Sequence, residues 1–164
     1  MKRTLFFVFV MASLLTACAA PTPVAEGPTD LDHARQTLID FFSLLSNGEY
    51  AEAVGRQAYD AEFYESARQN NPAVDPEDSV ALMEATCTYQ FRCLEILQVV
   101  SGEQLSDREF MFVVEFANPG GTLFVLGPCC GSDETEMPPV SQFEYRVAMV
   151  GSEFFVHGSP VYVP

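Results

Sequence analysis

The longest amphipathic run in the chain covers residues 29–50, with the sequence TDLDHARQTLIDFFSLLSNGEY. Its apolar residues recur three and four positions apart, which places them on one face of a helix. They are Leu31, Ala34, Leu38, Phe41, Phe42 and Leu45. Thr29 or Asp30 can cap the start, because their side-chain oxygens accept hydrogen bonds from unpaired backbone amides. Gly48 tolerates the left-handed conformation that ends many helices, so the pattern predicts a helix with both ends marked.

Shorter helical patterns follow this first helix. Residues 49–57 come directly after the glycine turn and predict the second arm of a helical hairpin. Residues 60–69 predict a further short helix. Residues 76–87 begin with a proline, which fits a first helical turn, and with two acids that suit the positive end of the helix dipole.

The period of the apolar residues changes from helical to alternating after Cys93. Strands are predicted at residues 94–101, 109–117, 122–127, 142–150 and 153–158. NPGG at residues 118–121 and the pair Gly151–Ser152 predict tight turns between strands. Two of these strands each have an apolar face that is expected to line the core. The first face comprises Phe110, Phe112, Val114 and Phe116, and the second comprises Phe143, Tyr145, Val147 and Met149. Strands with one apolar and one polar face predict an antiparallel sheet.

Helices followed by an antiparallel meander predict one α+β domain over residues 30–164. The segment ARQTLIDFFSLLSNGEYAEAVGRQ, together with the C-terminal YRVAMVGSEFFVHGSPVYV, resembles the small NTF2-like lipoproteins, whose domain is also described as SnoaL-like. This resemblance implies N-terminal helices packed on a curved antiparallel sheet. It also implies that the sheet forms a cystatin-like cone with one open end.

The chain begins with MKRTLFFVFVMASLLTAC, which has the basic, apolar and small-residue order of a signal peptide over residues 1–17. Its apolar run is shorter than the roughly 20 residues that span a bilayer. LTAC resembles a bacterial lipobox, which implies cleavage before Cys18 and a lipid on its sulfur. The alternative is an ordinary signal peptide with Cys18 incidental. Residues 18–29 are rich in Pro, Ala and Thr and predict a flexible tether. We therefore expect a lipid-anchored protein on the extracytoplasmic side of a bacterial membrane, in the cell envelope.

The chain is strongly acidic, with a formal net charge of −15. Loss of residues 1–17 removes Lys2, Arg3 and no acid, which leaves 6 basic and 23 acidic residues and a charge of −17. This charge repels nucleic acid phosphates and gives no attraction to anionic lipid headgroups. The lipid on Cys18 would then have to hold the protein at the membrane. The charge itself is explained most simply by solubility.

Four cysteines remain after lipidation, namely Cys87, Cys93, Cys129 and Cys130. An even number of cysteines in an exported chain favours disulfides. Adjacent Cα atoms lie about 3.8 Å apart, which is closer than the roughly 4.4–6.8 Å of an ordinary disulfide. We therefore expect Cys87 and Cys93 each to pair with one of Cys129 and Cys130. A redox role for the adjacent pair is an alternative, and a metal site fits less well because zinc sites use cysteines separated by about two to four residues.

No catalytic motif with a specific spacing is present, and no cofactor or metal is predicted. In an NTF2-like cone, Tyr145 or His157 could be a polar group facing the cavity, and Tyr162 is a third candidate. Glu144 or Glu115 could supply a carboxylate, which would act as a general base as in ketosteroid isomerase-like members. The simpler interpretation is an edge-strand histidine and packed tyrosines with satisfied hydroxyls.

Three functional hypotheses follow. The first is a non-catalytic binding or accessory domain for a small apolar ligand or a protein partner. The second is a small enzyme of the same fold that performs acid–base chemistry in the cone. The third is a thiol redox sensor at the GPCCG segment, residues 127–131.

Overall fold

The computed structural model describes residues 28–162, which form four helices and six strands in an α+β arrangement. The helices are α1 (Asp30–Asn47), α2 (Tyr50–Arg56), α3 (Ala61–Asn70) and α4 (Ser79–Tyr89). The strands are β1 (Phe91–Arg92), β2 (Ile96–Ser106), β3 (Glu109–Phe116), β4 (Phe143–Val150), β5 (Glu153–His157) and β6 (Val161–Tyr162). Strands β2, β3, β4 and β5 make an open antiparallel sheet in that order, and β1 pairs separately with β6. The predicted signal peptide, Cys18 and most of the predicted tether lie outside the described residues.

Both predicted ends of α1 are confirmed. Thr29 Oγ1 accepts a hydrogen bond from the amide of Asp32, and the Asp32 carboxylate accepts one from the amide of Thr29 at 2.9 Å. This reciprocal capping box satisfies amide groups that have no partner within the helix. Gly48 adopts the left-handed conformation at φ 78°, and its amide donates to the carbonyls of Leu44 and Leu45.

The core lies between the apolar face of α1 and the inner face of the sheet. Phe41 and Phe42 on the helix are fully buried, as are the alternating residues of β3. The Phe42 ring contacts Phe116 and Tyr145 edge-on, with ring centroids 4.8 Å apart in each pair. Each fully buried side chain of this size stabilises the fold by about 1.5–3 kcal/mol, so this interface is the main source of stability.

The three shorter helices lie close to their predicted positions, but α4 begins later than expected. Asp78 caps α4, because its carboxylate accepts hydrogen bonds from the amides of Val80 and Ala81. Pro76 lies in the preceding turn, where its carbonyl accepts a hydrogen bond from Arg68 at 3.0 Å. The proline therefore precedes the helix and does not occupy its first turn.

Strand β2 forms one edge of the sheet and is interrupted by three irregularities in its pairing with β3. The residues left out of register are Leu97, Val100 and Leu105, and all three are exposed. Bulges of this kind increase the twist of a strand and protect a free edge from pairing with another chain. Gly102 lies between two of these irregularities, opposite Phe112, and its lack of a side chain leaves room for the Phe112 ring.

The predicted strand at residues 122–127 is wrong. This segment makes only single bridges, Ala117 with Leu123 and Leu126 with Val140. Pro128 directly follows this segment and cannot extend a ladder, because proline has no amide donor. Residues 117–142 therefore form a long connection between β3 and β4, which we call the β3–β4 arm.

The expected pairing of the cysteines is also wrong, because the structure joins Cys87 to Cys93. Cys87 lies in the last turn of α4 and Cys93 directly follows β1. The chain reverses between them, so their Cα atoms are 5.4 Å apart, a separation that an ordinary disulfide spans. Closure of such a short loop costs less chain entropy than closure of the longer loops expected from the sequence. Cys129 and Cys130 are free thiols.

Candidate functional site

Tyr145 lies on the inner face of β4 and is 7% exposed. Its ring packs against Phe42 and Phe116, with centroid distances of 4.8 and 6.0 Å. Burial raises the pKa of the Tyr145 hydroxyl, which keeps that group protonated at physiological pH. Tyr145 is therefore primarily a packing residue of the aromatic core.

His157 ends β5 and is exposed, and it lies opposite Arg146 on the outer side of the sheet. Tyr145 and His157 nevertheless border the same open depression of about 380 Å³, which Glu144 and Leu126 also line. The structure thus brings the two predicted polar groups to one surface feature, near the end of the sheet. This depression is open to solvent and lies at the edge of the aromatic core, because Phe143 and Tyr145 line it.

Glu115, the other predicted carboxylate, lies on the outer face of β3. Its oxygens accept hydrogen bonds from the side-chain amides of Gln98 at 2.6 Å and Gln142 at 3.0 Å. These bonds, with that of Gln142 the larger effect, lower the pKa of Glu115. A general base in an apolar cavity needs the opposite shift, so Glu115 does not fit that role.

The interior of the domain is filled with aromatic and aliphatic side chains. The largest fully buried ones are Phe41, Phe42, Phe110, Phe112 and Phe116. Within residues 28–162, the buried polar side chains outside the tyrosines are Thr37, Gln57, Asn71 and Thr86, and none of them is ionisable. Among these described residues, the core therefore contains no pair of convergent acid and base groups.

One buried polar network was not predicted from the sequence. The Tyr64 hydroxyl donates to Gln57 Oε1 at 3.1 Å, and Gln57 Nε2 donates to the carbonyl of Gly158 at 2.9 Å. Desolvation is the largest cause of the raised pKa of Tyr64. The network joins α2 and α3 to the end of β5, so its role is structural.

The β3–β4 arm is held to the sheet at its base. The amide of Phe124 donates to the carbonyl of Phe116 at 2.8 Å, and the Phe124 ring stacks on Phe143 at 6.1 Å. Leu126 and Val140 exchange two backbone hydrogen bonds, of 2.8 and 2.9 Å. These contacts close the arm into a loop of defined shape, although it is longer than most connections in compact domains.

The outer surface of the β3–β4 arm combines apolar and acidic side chains. Four of its aliphatic side chains are between 37% and 48% exposed, namely Leu123, Val125, Met137 and Val140. Asp133, Glu134 and Glu136 lie between them in the chain and are exposed. The sequence pattern assigned residues 122–127 to a strand, so it did not predict that Leu123 and Val125 would be exposed.

The two adjacent cysteines occupy the arm between Pro128 and Gly131. Cys130 has φ 60°, the single positive φ of a non-glycine residue within residues 28–162. The amide of Ser132 donates to the carbonyl of Cys129 at 3.0 Å and closes a tight turn. The sulfur atoms of Cys129 and Cys130 are in hydrogen-bond contact at 2.8 Å, and this contact raises the pKa of Cys129.

Neither a metal centre nor a membrane span emerges from the part of the chain that the structure describes. Residues 28–162 contain no cluster of three or more histidine, cysteine or acidic side chains that could hold a metal ion. They also contain no helix with the length and apolar character needed to cross a bilayer.

No protein-family model matches this chain, and a search of curated proteins finds no match either.

Proposed function

We propose that this protein is a non-catalytic accessory domain, tethered outside the cytoplasm by a lipid on Cys18, that docks a protein partner through the β3–β4 arm. The observation that carries the proposal is the contrast between a filled interior and an arm with four exposed aliphatic side chains. Exposed apolar side chains are typical of interaction sites where they form a contiguous patch, and these four lie within residues 123–140 of the chain. A small apolar ligand held inside the domain has no comparable support, because aromatic rings occupy the interior.

The N-terminal sequence supports the location. A basic start, an apolar run and LTAC before Cys18 together resemble a lipoprotein signal, and a Pro-rich spacer follows. Two or more acyl chains on Cys18 would give stable anchoring, whereas one chain gives only marginal binding. Labelled fatty acid should be incorporated into the wild-type protein and not into a Cys18→Ala variant. The proposal of an anchor fails if the variant remains in the membrane fraction and carries the label.

We further propose that the domain is a variant of the NTF2-like fold. Two features support this assignment. A long N-terminal helix, α1, packs across the inner face of an antiparallel sheet. The irregular edge strand β2 can curve the sheet around that helix. In such a variant, the phenylalanine side chains that are buried within residues 28–162 would take the place of an open cavity.

The partner surface should be apolar with a basic border. The exposed side chains of the arm supply the apolar contact, while Asp133, Glu134 and Glu136 add negative charge beside it. Complementary charges mainly accelerate encounter and set specificity. Complex formation should therefore slow as ionic strength rises, because salt screens exposed charges.

Site-specific photo-crosslinking in intact cells tests the docking proposal. A photoreactive residue at Val125 of the β3–β4 arm should give one discrete adduct. The same residue at Val150 is the matched control, because Val150 is also an exposed valine but lies beside the turn between β4 and β5. The proposal is contradicted if Val125 gives no adduct, or if both positions give the same adducts.

A second candidate function is supported by the depression that Tyr145 and His157 share. A small polar ligand could contact both side chains there. A ligand in that depression should protect His157 from chemical modification, and a Tyr145→Phe variant should weaken this protection. This candidate requires a tyrosine hydroxyl that reaches the depression, so equal protection in the variant would eliminate it.

A further inference from the structure

The adjacent thiols are positioned to react with each other. The sulfur atoms of Cys129 and Cys130 are 2.8 Å apart, and a disulfide bond is about 2.05 Å long. The sulfurs therefore need to approach by less than about 1 Å to bond. No rotation of a domain or strand is required, because both residues lie in the same turn of the β3–β4 arm.

Solvent reaches this pair, and the core does not depend on it. Cys130 is exposed, and Cys129 is partly exposed. The arm is anchored at its base by the Leu126–Val140 hydrogen bonds, so the turn can adjust while the sheet stays intact. Exposed thiols with a resolving thiol beside them have the arrangement found in redox-sensitive sites.

We propose that Cys129 and Cys130 form a redox-active dithiol that closes reversibly into a vicinal disulfide on reaction with an external disulfide compound. The Cys130 thiolate attacks one sulfur of the oxidant, forms a mixed disulfide and releases one thiol. The Cys129 thiolate then attacks Cys130 Sγ and expels the second thiol. The protein loses two protons and two electrons, and the oxidant takes them up to become two thiols.

The order of attack follows from exposure. Cys130 is the more exposed of the two, so the oxidant reaches it first. Cys129 is within contact distance of Cys130 and acts as the resolving thiol. The hydrogen bond between the two sulfurs also raises the pKa of Cys129, which favours retention of its proton until the second step.

The vicinal bond should be labile, whereas the Cys87–Cys93 bond should persist. Adjacent Cα atoms are held about 3.8 Å apart across a trans peptide, which strains a disulfide. Cys87 and Cys93 have Cα atoms 5.4 Å apart, within the ordinary range. Strained and exposed disulfides are reduced more easily. The two pairs therefore divide into a structural bond and a reversible one.

Metal binding is a weaker use of the same pair. Two thiolates alone do not complete a tetrahedral zinc site. Within the described residues no third ligand joins them, even though acidic side chains are close in sequence.

The test uses the full-length protein in glutathione buffers, followed by acid quenching, alkylation and peptide mass measurement. In oxidised glutathione, the wild-type peptide that contains both cysteines should lose two hydrogens and carry no glutathione. In a Cys129→Ser variant, Cys130 should retain one glutathionyl group, because the resolving thiol is absent. In a Cys130→Ser variant, Cys129 should acquire its adduct more slowly. Both substitutions lie in an exposed turn, and circular dichroism should show an unchanged fold.

The proposal is overturned if wild-type protein retains glutathione on either cysteine, or if both stay as thiols in excess oxidant. A bond from Cys129 or Cys130 to Cys87 or Cys93 would also overturn it. Titration with reduced glutathione gives the second criterion. Half-reduction of the vicinal disulfide should need a ratio of reduced to oxidised glutathione at least about tenfold lower than half-reduction of the Cys87–Cys93 disulfide. Coincident titration of the two pairs would refute this difference.

Discussion

Gly102→Ala should destabilise the domain because a side chain at this position would overlap the Phe112 ring. A Cβ atom built at Gly102 lies 2.7 Å from both Cδ1 and Cε1 of Phe112. Carbon atoms in contact prefer about 3.5–4.0 Å, so the ring would have to move by roughly 1 Å. Phe112 is 1% exposed and packed in the core, which limits that movement.

The expected net cost is about 1–2 kcal/mol. Overpacking of a filled core costs roughly 1–3 kcal/mol. Replacement of glycine by alanine reduces the entropy of the unfolded chain and returns about 0.4–1 kcal/mol. Gly55→Ala is the matched control, because Gly55 lies in α2 and its Cβ would meet no atom within 4 Å. That control should stabilise the protein by up to about 1 kcal/mol.

Urea unfolding followed by circular dichroism measures both changes, and the chain contains no tryptophan for fluorescence. A Phe112→Leu background provides a double-mutant cycle, in which the cost of Gly102→Ala should shrink because the smaller side chain leaves room. A steric clash with Phe112 is excluded if Gly102→Ala is as stable as the wild type. It is also excluded if the cost is unchanged when Phe112 is leucine.

Three further predictions concern the disulfide, the buried network and the helix cap. Replacement of both Cys87 and Cys93 by serine should lower the free energy of unfolding by roughly 2 kcal/mol, because the disulfide closes a short loop. Urea unfolding measures this loss, and a loss of about 3–4 kcal/mol would instead indicate a bond that closes a long loop. Tyr64→Phe leaves the buried side-chain oxygen of Gln57, directly after α2, without its donor, so it should lower stability by about 1–3 kcal/mol. Thermal unfolding that shows no loss would contradict this role. Hydrogen bonds from Thr29 lower the pKa of Asp32. Asp32 therefore stabilises the fold above its unfolded pKa, which is near 3.8, and this contribution is lost as pH falls through the lower folded pKa. An Asp32→Asn variant should have a reduced melting temperature at pH 7 and approach the wild type in acid, and a deficit that persists in acid would disprove the linkage.

The sequence was informative where local chemistry determines structure. The apolar spacing of α1, its Thr29 cap and its Gly48 stop all depend on residues within one or two turns, and all three predictions are confirmed. The hairpin turn at Gly151 and the inward alternation of β3 are confirmed for the same reason. The α+β class follows from these elements.

Features that depend on distant contacts were not predictable from local patterns. The two-residue strands β1 and β6 exist only because they pair with each other across the fold. The bulges of β2 depend on its register with β3. The cysteine pairing failed because the sequence does not show that the chain reverses between Cys87 and Cys93.

The candidate site was predictable only in part. The GPCCG segment identified two adjacent thiols, but their contact depends on the turn that the Ser132 amide closes. The exposure of Val125 was hidden because an apolar run of that length also fits a buried strand. The sequence identified Tyr145 and His157 as candidate polar groups. It did not show that Tyr145 is surrounded by core side chains, because this depends on how α1 packs against the sheet.

A charge placed on the β3–β4 arm tests most directly whether this arm is the docking surface. Val125→Glu and Val150→Glu make the same chemical change at two exposed valines. Both variants should keep wild-type stability to within about 0.5 kcal/mol, because exposed substitutions have small effects. A photoreactive residue at Leu123 then reports docking in cells. We predict that Val125→Glu abolishes the Leu123 adduct and that Val150→Glu leaves it unchanged. An adduct that survives Val125→Glu, or that both variants remove equally, would contradict a docking role for the arm.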